Sequence, residues 1–241
     1  MAQGNRGDIV IEFNEEKHIY TIDGRVIPSV TDICSPITAD HYGSINSAVL
    51  EMASRRGTAV HEATELIDLG SMPDDDPEID GYVNAYLDFL LDYEPKWQYI
   101  EWIGYFDDFW DGERVQYCGT VDRAGYVGKE FWVLDIKTTA SPTKENYIAT
   151  CCQVTAYSNF EPIRTLYDVK HKILYLRKDG SYRLVDCFEK EEELGFDSYY
   201  LFGNLAITKT YINRIKERKS NGKKKTDKSS DPAERDSGQT E

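Results

Sequence analysis

The alternation of apolar and polar positions breaks at four two-residue turn signals: Asp23-Gly24, Asp111-Gly112, Gly128-Lys129 and Asp179-Gly180. Asp-Gly suits a type I′ turn and Gly-X a type II′ turn, whose twist matches that of antiparallel strands. Each lies between stretches rich in β-branched and aromatic residues. The pattern predicts a hairpin joining about Ile9–Ile22 to Arg25–Ile27, a three-stranded meander from Trp97 to Lys137, and a hairpin joining Lys172–Lys178 to Ser181–Phe188. Helical spacing fills the gaps. Ser29 or Thr31 caps a short helix after Pro28. Residues 45–69 read as a helix, with Gly57 as a break or a close-packing point. Pro77 opens a helix to Tyr93 whose Ile79, Val83, Tyr86, Leu87 and Leu90 share one face. Further helices cover about Thr143–Asn159 and Lys190–Glu217. Residues 218–241 have hardly an apolar position and the composition of a disordered tail.

Strands and helices mix without regular βαβ alternation. That predicts an α+β chain, with a central mixed sheet and antiparallel meander flanked by helices. One domain spans residues 1–217, with an N-terminal hairpin over about 9–27, a core over about 55–188 and a C-terminal helix over 190–217. Neither G-x-x-x-x-G-K-[ST] nor G-x-G-x-x-G occurs, so no nucleotide cofactor is expected.

The formal net charge of −15 argues against a protein that coats duplex nucleic acid. Aromatic residues at 12% argue for a folded chain. No apolar run approaches the ~18 residues of a membrane span, and the N-terminus shows no hydrophobic export segment. The five cysteines are an odd number and form no C-x-x-C. They read as reduced thiols of a cytoplasmic protein, not as a zinc or iron–sulfur site.

Turn geometry carries the chemistry. A two-residue Gly128-Lys129 turn sets Val127 opposite Glu130 and, further along, Asp122 opposite Asp135. A tight Asp111-Gly112 turn sets Glu101 opposite Asp122. Directly facing residues share a side of the sheet, and Lys137 shares it with Asp135. Like charges so placed repel, and they stay ionised only with positive charge among them. Lys137 supplies some of it, and a divalent cation with oxygen ligands, Mg²⁺ or Mn²⁺, would supply the rest. A solvated acidic face is the plain alternative. Against it, Asp135 ends the apolar run Phe-Trp-Val-Leu, which suggests a strand covered on both faces. Glu101 is the weaker member, because a bulge in its strand would turn it to the other side.

Asp122 and Asp135-Ile136-Lys137, thirteen residues apart, resemble the signature of the PD-(D/E)XK nuclease superfamily. Arg56-Gly57-Thr58-Ala59-Val60-His61, Gly119-Thr120-Val121-Asp122, Leu134-Asp135-Ile136-Lys137-Thr138 and Gln153-Val154-Thr155-Ala156-Tyr157 are similar to the motifs of its RecB-like exonuclease branch. Ile27-Pro28-Ser29-Val30-Thr31 is similar to a segment of mitochondrial genome maintenance exonucleases and phage relatives. The likeness spans about residues 18–215, and the four-cysteine iron–sulfur cluster of some relatives is missing.

The resemblance implies a restriction-endonuclease-like core and a stand-alone nuclease. It implies a metal held by His61, Asp122, Asp135 and the Ile136 carbonyl, with Glu101 as a further candidate. Asp122, Asp135, Lys137, Gln153 and Tyr157 would form the catalytic set, Lys137 orienting or helping to deprotonate the attacking water. Ser29, Thr31, Arg56, Thr138 and Lys144 would contact nucleic acid. The expected substrate is DNA, single-stranded or with free ends, in recombination, repair or phage DNA processing, with a recombination or replication protein as partner. A phage origin would place the chain in the host cytoplasm.

Plainer readings stand beside these. A lone helical histidine is usually structural, and Glu65 and Asp68 beyond it could form a solvated stripe. Gln153 and Tyr157 suit packing, Ser29 suits a helix cap, and Lys144 suits a plain surface position. The whole chain could also be a catalytically silent nucleic-acid- or protein-binding module on the same fold, or an acidic DNA mimic.

Overall fold

At Asp111 and Gly112 the backbone takes φ values of 48° and 81°, the pair of left-handed residues that a type I′ turn needs. The turn joins β4 (Lys96–Trp110) to β5 (Glu113–Val127), and a turn with Gly128 at φ 59° leads into β6 (Glu130–Lys137). The expected meander is therefore present. The computed structural model describes residues 10–228 other than 15, 16, 18, 44 and 140, with side chains as far as Lys219. After β6 the chain crosses over through α4 (Lys144–Ser158) and returns as β7 (Lys170–Leu176), parallel to β6. The edge strand β8 (Tyr182–Asp186) completes a five-stranded mixed sheet in the order β4-β5-β6-β7-β8.

Helices cover both faces, so the class is α+β as expected. α2 (Ser47–Asp68) and α3 (Asp80–Tyr93) pack on Trp132, Leu134, Ile136, Leu174 and Leu176. On the other face α1 (Val30–Gly43), α4 and α6 (Ser198–Lys228) cover Val133, Ile173 and Tyr175. Every residue from Phe131 to Ile136 is buried, which explains why β6 reads as a continuous apolar run. A small antiparallel sheet caps β4 and β5 through Ile103 and Cys118. Its strands are β1 (Ile11–Asn14), β2 (Ile19–Ile22) and β3 (Arg25–Ile27). All five cysteines are free and buried. Among the described residues, no helix is long and apolar enough to cross a membrane.

Local details depart from the sequence reading. The long first strand is two strands, β1 paired with β2. The last hairpin turns through Lys178, Asp179 and Gly180: only Gly180 has positive φ, and Arg177 N–H donates to the Ser181 carbonyl. That three-residue loop pairs Leu176 with Tyr182, one position off the register that a two-residue turn would give. α2 runs through Gly57 unbroken, with open space where its Cβ would be, so Gly57 is neither a break nor a close-packing point. The helix after Pro28 is long, at 14 residues. The last helix is two, because Gly195 at φ 69° caps α5 (Cys187–Leu194) before α6 begins. α6 continues to Lys228, so residues 218–228 are helical where a disordered tail is expected. The rest of that tail, 229–241, lies outside the described residues.

His171 on β7 is half-buried. Its Nδ1 is 3.4 Å from Thr155 Oγ1, at the end of a hydroxyl chain through Ser198 to Glu191. Burial pushes its pKa down from 6.5 to about 4. The unfolded chain therefore takes up a proton that the folded state resists. The neutral His171 favours the fold fully above its unfolded pKa, and that contribution is lost as the pH falls from 6.5 towards 4. Urea unfolding at about pH 7 and about pH 4.5 will show a loss of stability that His171→Gln reduces by on the order of 2 kcal/mol.

Candidate metal centre

The β5–β6 ladder pairs Val127 with Glu130 and closes at Arg123 with Leu134, the register expected from the Gly128-Lys129 turn. One step further, at Asp122 and Asp135, a side chain takes over from the backbone: Ile136 N–H donates to Asp122 Oδ2 at 2.7 Å. On β4, the pairs Trp102–Val121 and Ile100–Arg123 bracket Glu101 opposite Asp122. Glu101 itself has φ 42°, an uncommon left-handed conformation for a residue with a side chain. The register shift in β4 falls between Trp97 and Tyr99, so it does not displace Glu101. Three adjacent strands thus lose regularity at one level.

His61 of α2 reaches that level. Its Nε2 lies 3.1 Å from the Ile136 carbonyl oxygen and its Nδ1 3.2 Å from Glu101 Oε1. Asp122 Oδ2 lies 3.8 Å from the same Nδ1. Ligand atoms of His61, Glu101 and Asp122 all lie within 4.8 Å of one another. Glu101, the weaker candidate in sequence, is a full member of the group. Asp135 stands beside it: its carboxylate is buried and pairs with the Lys137 ammonium at 2.5 Å.

Such crowding needs positive charge, and much of it comes from Arg123, which the sequence reading does not single out. Its guanidinium is fully buried. It donates to Asp68, to Glu101 Oε1 at 2.9 Å, to the Asp122 carbonyl at 2.6 Å and to Thr64 Oγ1 at 3.1 Å. Tyr86 lies under it and donates to Asp68 at 2.6 Å. Asp68 is therefore a buried counterion and not part of a solvated stripe. The available signal was an arginine between Asp122 and Ala124 in an apolar strand, with Asp68 two helical turns after His61 on one face.

Burial works against a charged imidazole at His61, but Asp122 and Glu101 outweigh it and raise the pKa to about 9. With oxygens at both ring nitrogens, His61 is an imidazolium in the ion-free protein. Burial raises Asp135 to about 6, opposed by Lys137. It also raises Asp122, opposed by His61. Burial likewise disfavours the Lys137 charge, yet Asp135 and Asp122 hold its pKa above the ordinary lysine value. Lys137 is thus held as an ammonium beside Asp135.

A cavity of about 350 Å³ opens beside Lys137, lined also by Thr31, Thr38, Tyr42, Gln153 and Tyr175. Gln153 therefore faces the same space as Lys137. Tyr157 is buried, its ring filling the room left by the absent Cβ of Gly119. Burial first, and then Asp135 and Asp122, push its hydroxyl pKa far up. Ser29 Oγ accepts from Asp32 N–H at 2.9 Å and caps α1, the plainer of its two readings. Thr31 is exposed on α1. Arg56 lies over the Tyr82 ring, 5.8 Å from its centroid, and its buried Nε has no hydrogen-bond partner. Thr138 is half-buried just after β6, and Lys144 is exposed at the start of α4.

The donor set fits a divalent cation. One imidazole nitrogen and two carboxylate oxygens converge, the Ile136 carbonyl lies against the same ring, and the buried Asp135 carboxylate, paired with Lys137, is adjacent. Arg123→Met should leave Asp68 buried without its counterion. The expected loss is about 3–5 kcal/mol, read by denaturant unfolding in EDTA.

No known family model and no curated protein sequence matches the chain. Among solved structures it is similar to one described as "Crystal structure of SSO0001", with a TM-score of 0.37 and 15% identity over 73% of each chain. A likeness this loose carries no argument about the site.

Proposed function

We propose that this chain is a metal-dependent deoxyribonuclease, an exonuclease that hydrolyses phosphodiester bonds at single-stranded or frayed DNA ends. DNA recombination, repair or phage DNA processing is the setting that the resemblance to RecB-like exonucleases suggests. One observation carries the reading. His61, Glu101, Asp122 and the Ile136 carbonyl converge beside the pair of buried Asp135 and half-buried Lys137, and Lys137 lines a cavity. An acidic cluster with a single imidazole, flanked by an ammonium, suits metal-assisted phosphodiester hydrolysis.

His61, Glu101 and Asp122 would hold the cation, with Asp135 and the Ile136 carbonyl adjacent, and Mg²⁺ or Mn²⁺ suits their mainly oxygen donors. Once bound, such a cation polarises a phosphate oxygen and lowers the pKa of a water. The protein does the rest. Lys137, held as an ammonium by Asp135, donates from Nζ to a phosphate oxygen or to the incoming water and offsets charge that builds during attack. Gln153 borders the same cavity and can orient the phosphate group. Arg123 pins Glu101 through Oε1, so this carboxylate need not be organised when substrate arrives.

Asp135→Ala should lower cleavage of end-labelled single-stranded DNA in Mg²⁺ or Mn²⁺ by roughly 100- to 1,000-fold. The circular dichroism spectrum should stay native, and EDTA should abolish wild-type cleavage. A variant that cuts at the wild-type rate would remove the assignment.

A further inference from the structure

The cavity beside Lys137 has a neighbour across α1. A second cavity of about 450 Å³ lies between α1, the β2–β3 hairpin and α6, and both are lined by Thr31 and Ser35. Lys209 and Asn213 of α6 line its far side. Two exposed hydroxyl residues, Thr31 and Ser35, therefore lie between the Lys137 cavity and the α6 cavity. Along α6, positions 209, 213 and 216 fall within about 60° of one another on the helix surface. Lys209, Asn213 and Lys216 thus form one stripe, with Arg218 about half a turn away.

This part of α6 differs in charge from the rest. In a chain of net charge −15, residues 209–219 hold five basic residues and one acidic residue. The Lys209 ammonium is 2.7 Å from Asp32 in the cavity wall, and Lys216 is exposed. A cationic stripe beside a hydroxyl-lined cavity next to that of Lys137 suits a single-stranded polyanion.

Resting on the nuclease reading above, we propose that a single nucleic-acid strand leaves the Lys137 cavity across Thr31 and Ser35 and lies along the Lys209–Asn213–Lys216 stripe of α6. Phosphates contact the two lysines, and Asn213 donates between them. The stripe holds the strand without reading its sequence, because phosphate contacts carry no base information.

The test separates holding from cutting. Binding of a fluorescent oligothymidylate is measured by anisotropy in EDTA over about 50 to 200 mM salt, where no cleavage is expected. Each phosphate contact on a single strand contributes about 0.7 to the slope of log affinity against log salt. Lys209→Gln and Lys216→Gln should each flatten the slope by about that amount, whereas Arg218→Gln, an equal charge change off the stripe, should leave it unaltered. An equal effect of all three, no effect of any, or no binding by the wild type would overturn the proposal. Asp135→Ala decides the nuclease reading separately, because that variant should lose cleavage while keeping the wild-type salt slope.

Discussion

A guanidinium without access to water organises this protein. Arg123 lies inside the β5 face of the sheet and takes Asp68, Glu101, a carbonyl and a threonine hydroxyl as its partners. A buried charge is tolerable only when paired and fully hydrogen-bonded. Meeting that demand ties α2 to β4 and β5, and through Tyr86 it draws in α3. The helix that delivers Asp68 to Arg123 is also the one that delivers His61 to Asp122 and Glu101. Packing and site geometry are therefore consequences of one electrostatic requirement.

The remaining charges follow a similar logic on the opposite face. Asp135 is buried at the end of β6, where its alternation with Val133 and Lys137 turns it towards α1 and α4. Lys137 is its counterion, and burial leaves Asp135 easier to protonate than an ordinary aspartate. The ladder opens where these groups meet, and an aspartate oxygen takes the hydrogen bond from Ile136 N–H. Glu101 adopts a left-handed backbone at the same level. Irregular backbone at the convergence of ionisable groups is the kind of strain that functional sites retain.

Sequence patterns were most informative where the chain must turn. Asp23-Gly24 and Asp111-Gly112 carry positive φ at both positions, which fixes hairpin register without help from distant residues. Asp179-Gly180 carries the same letters, but only its glycine is left-handed, and the loop grows by one residue. Gly195 divides the C-terminal helical region, a break that side-chain periodicity alone does not show. Glycine explains one motif position directly: a Cβ at Gly119 would come within 2.8 Å of the Tyr157 ring and 3.1 Å of Val30.

By itself the sequence set Asp122 opposite Asp135 with Lys137 on the same side, because a two-residue turn at Gly128-Lys129 and a period of two fix that register. Only the tertiary structure decided that Glu101 joins His61 and Asp122 while Asp135 stays with Lys137. It also turned Asp68 and Arg123 into a buried ion pair. Those outcomes depend on how a helix docks against a sheet some sixty residues away in the chain, and on which groups lose their water when it does. Local propensity is blind to both, since desolvation belongs to the assembled interior and not to any single segment.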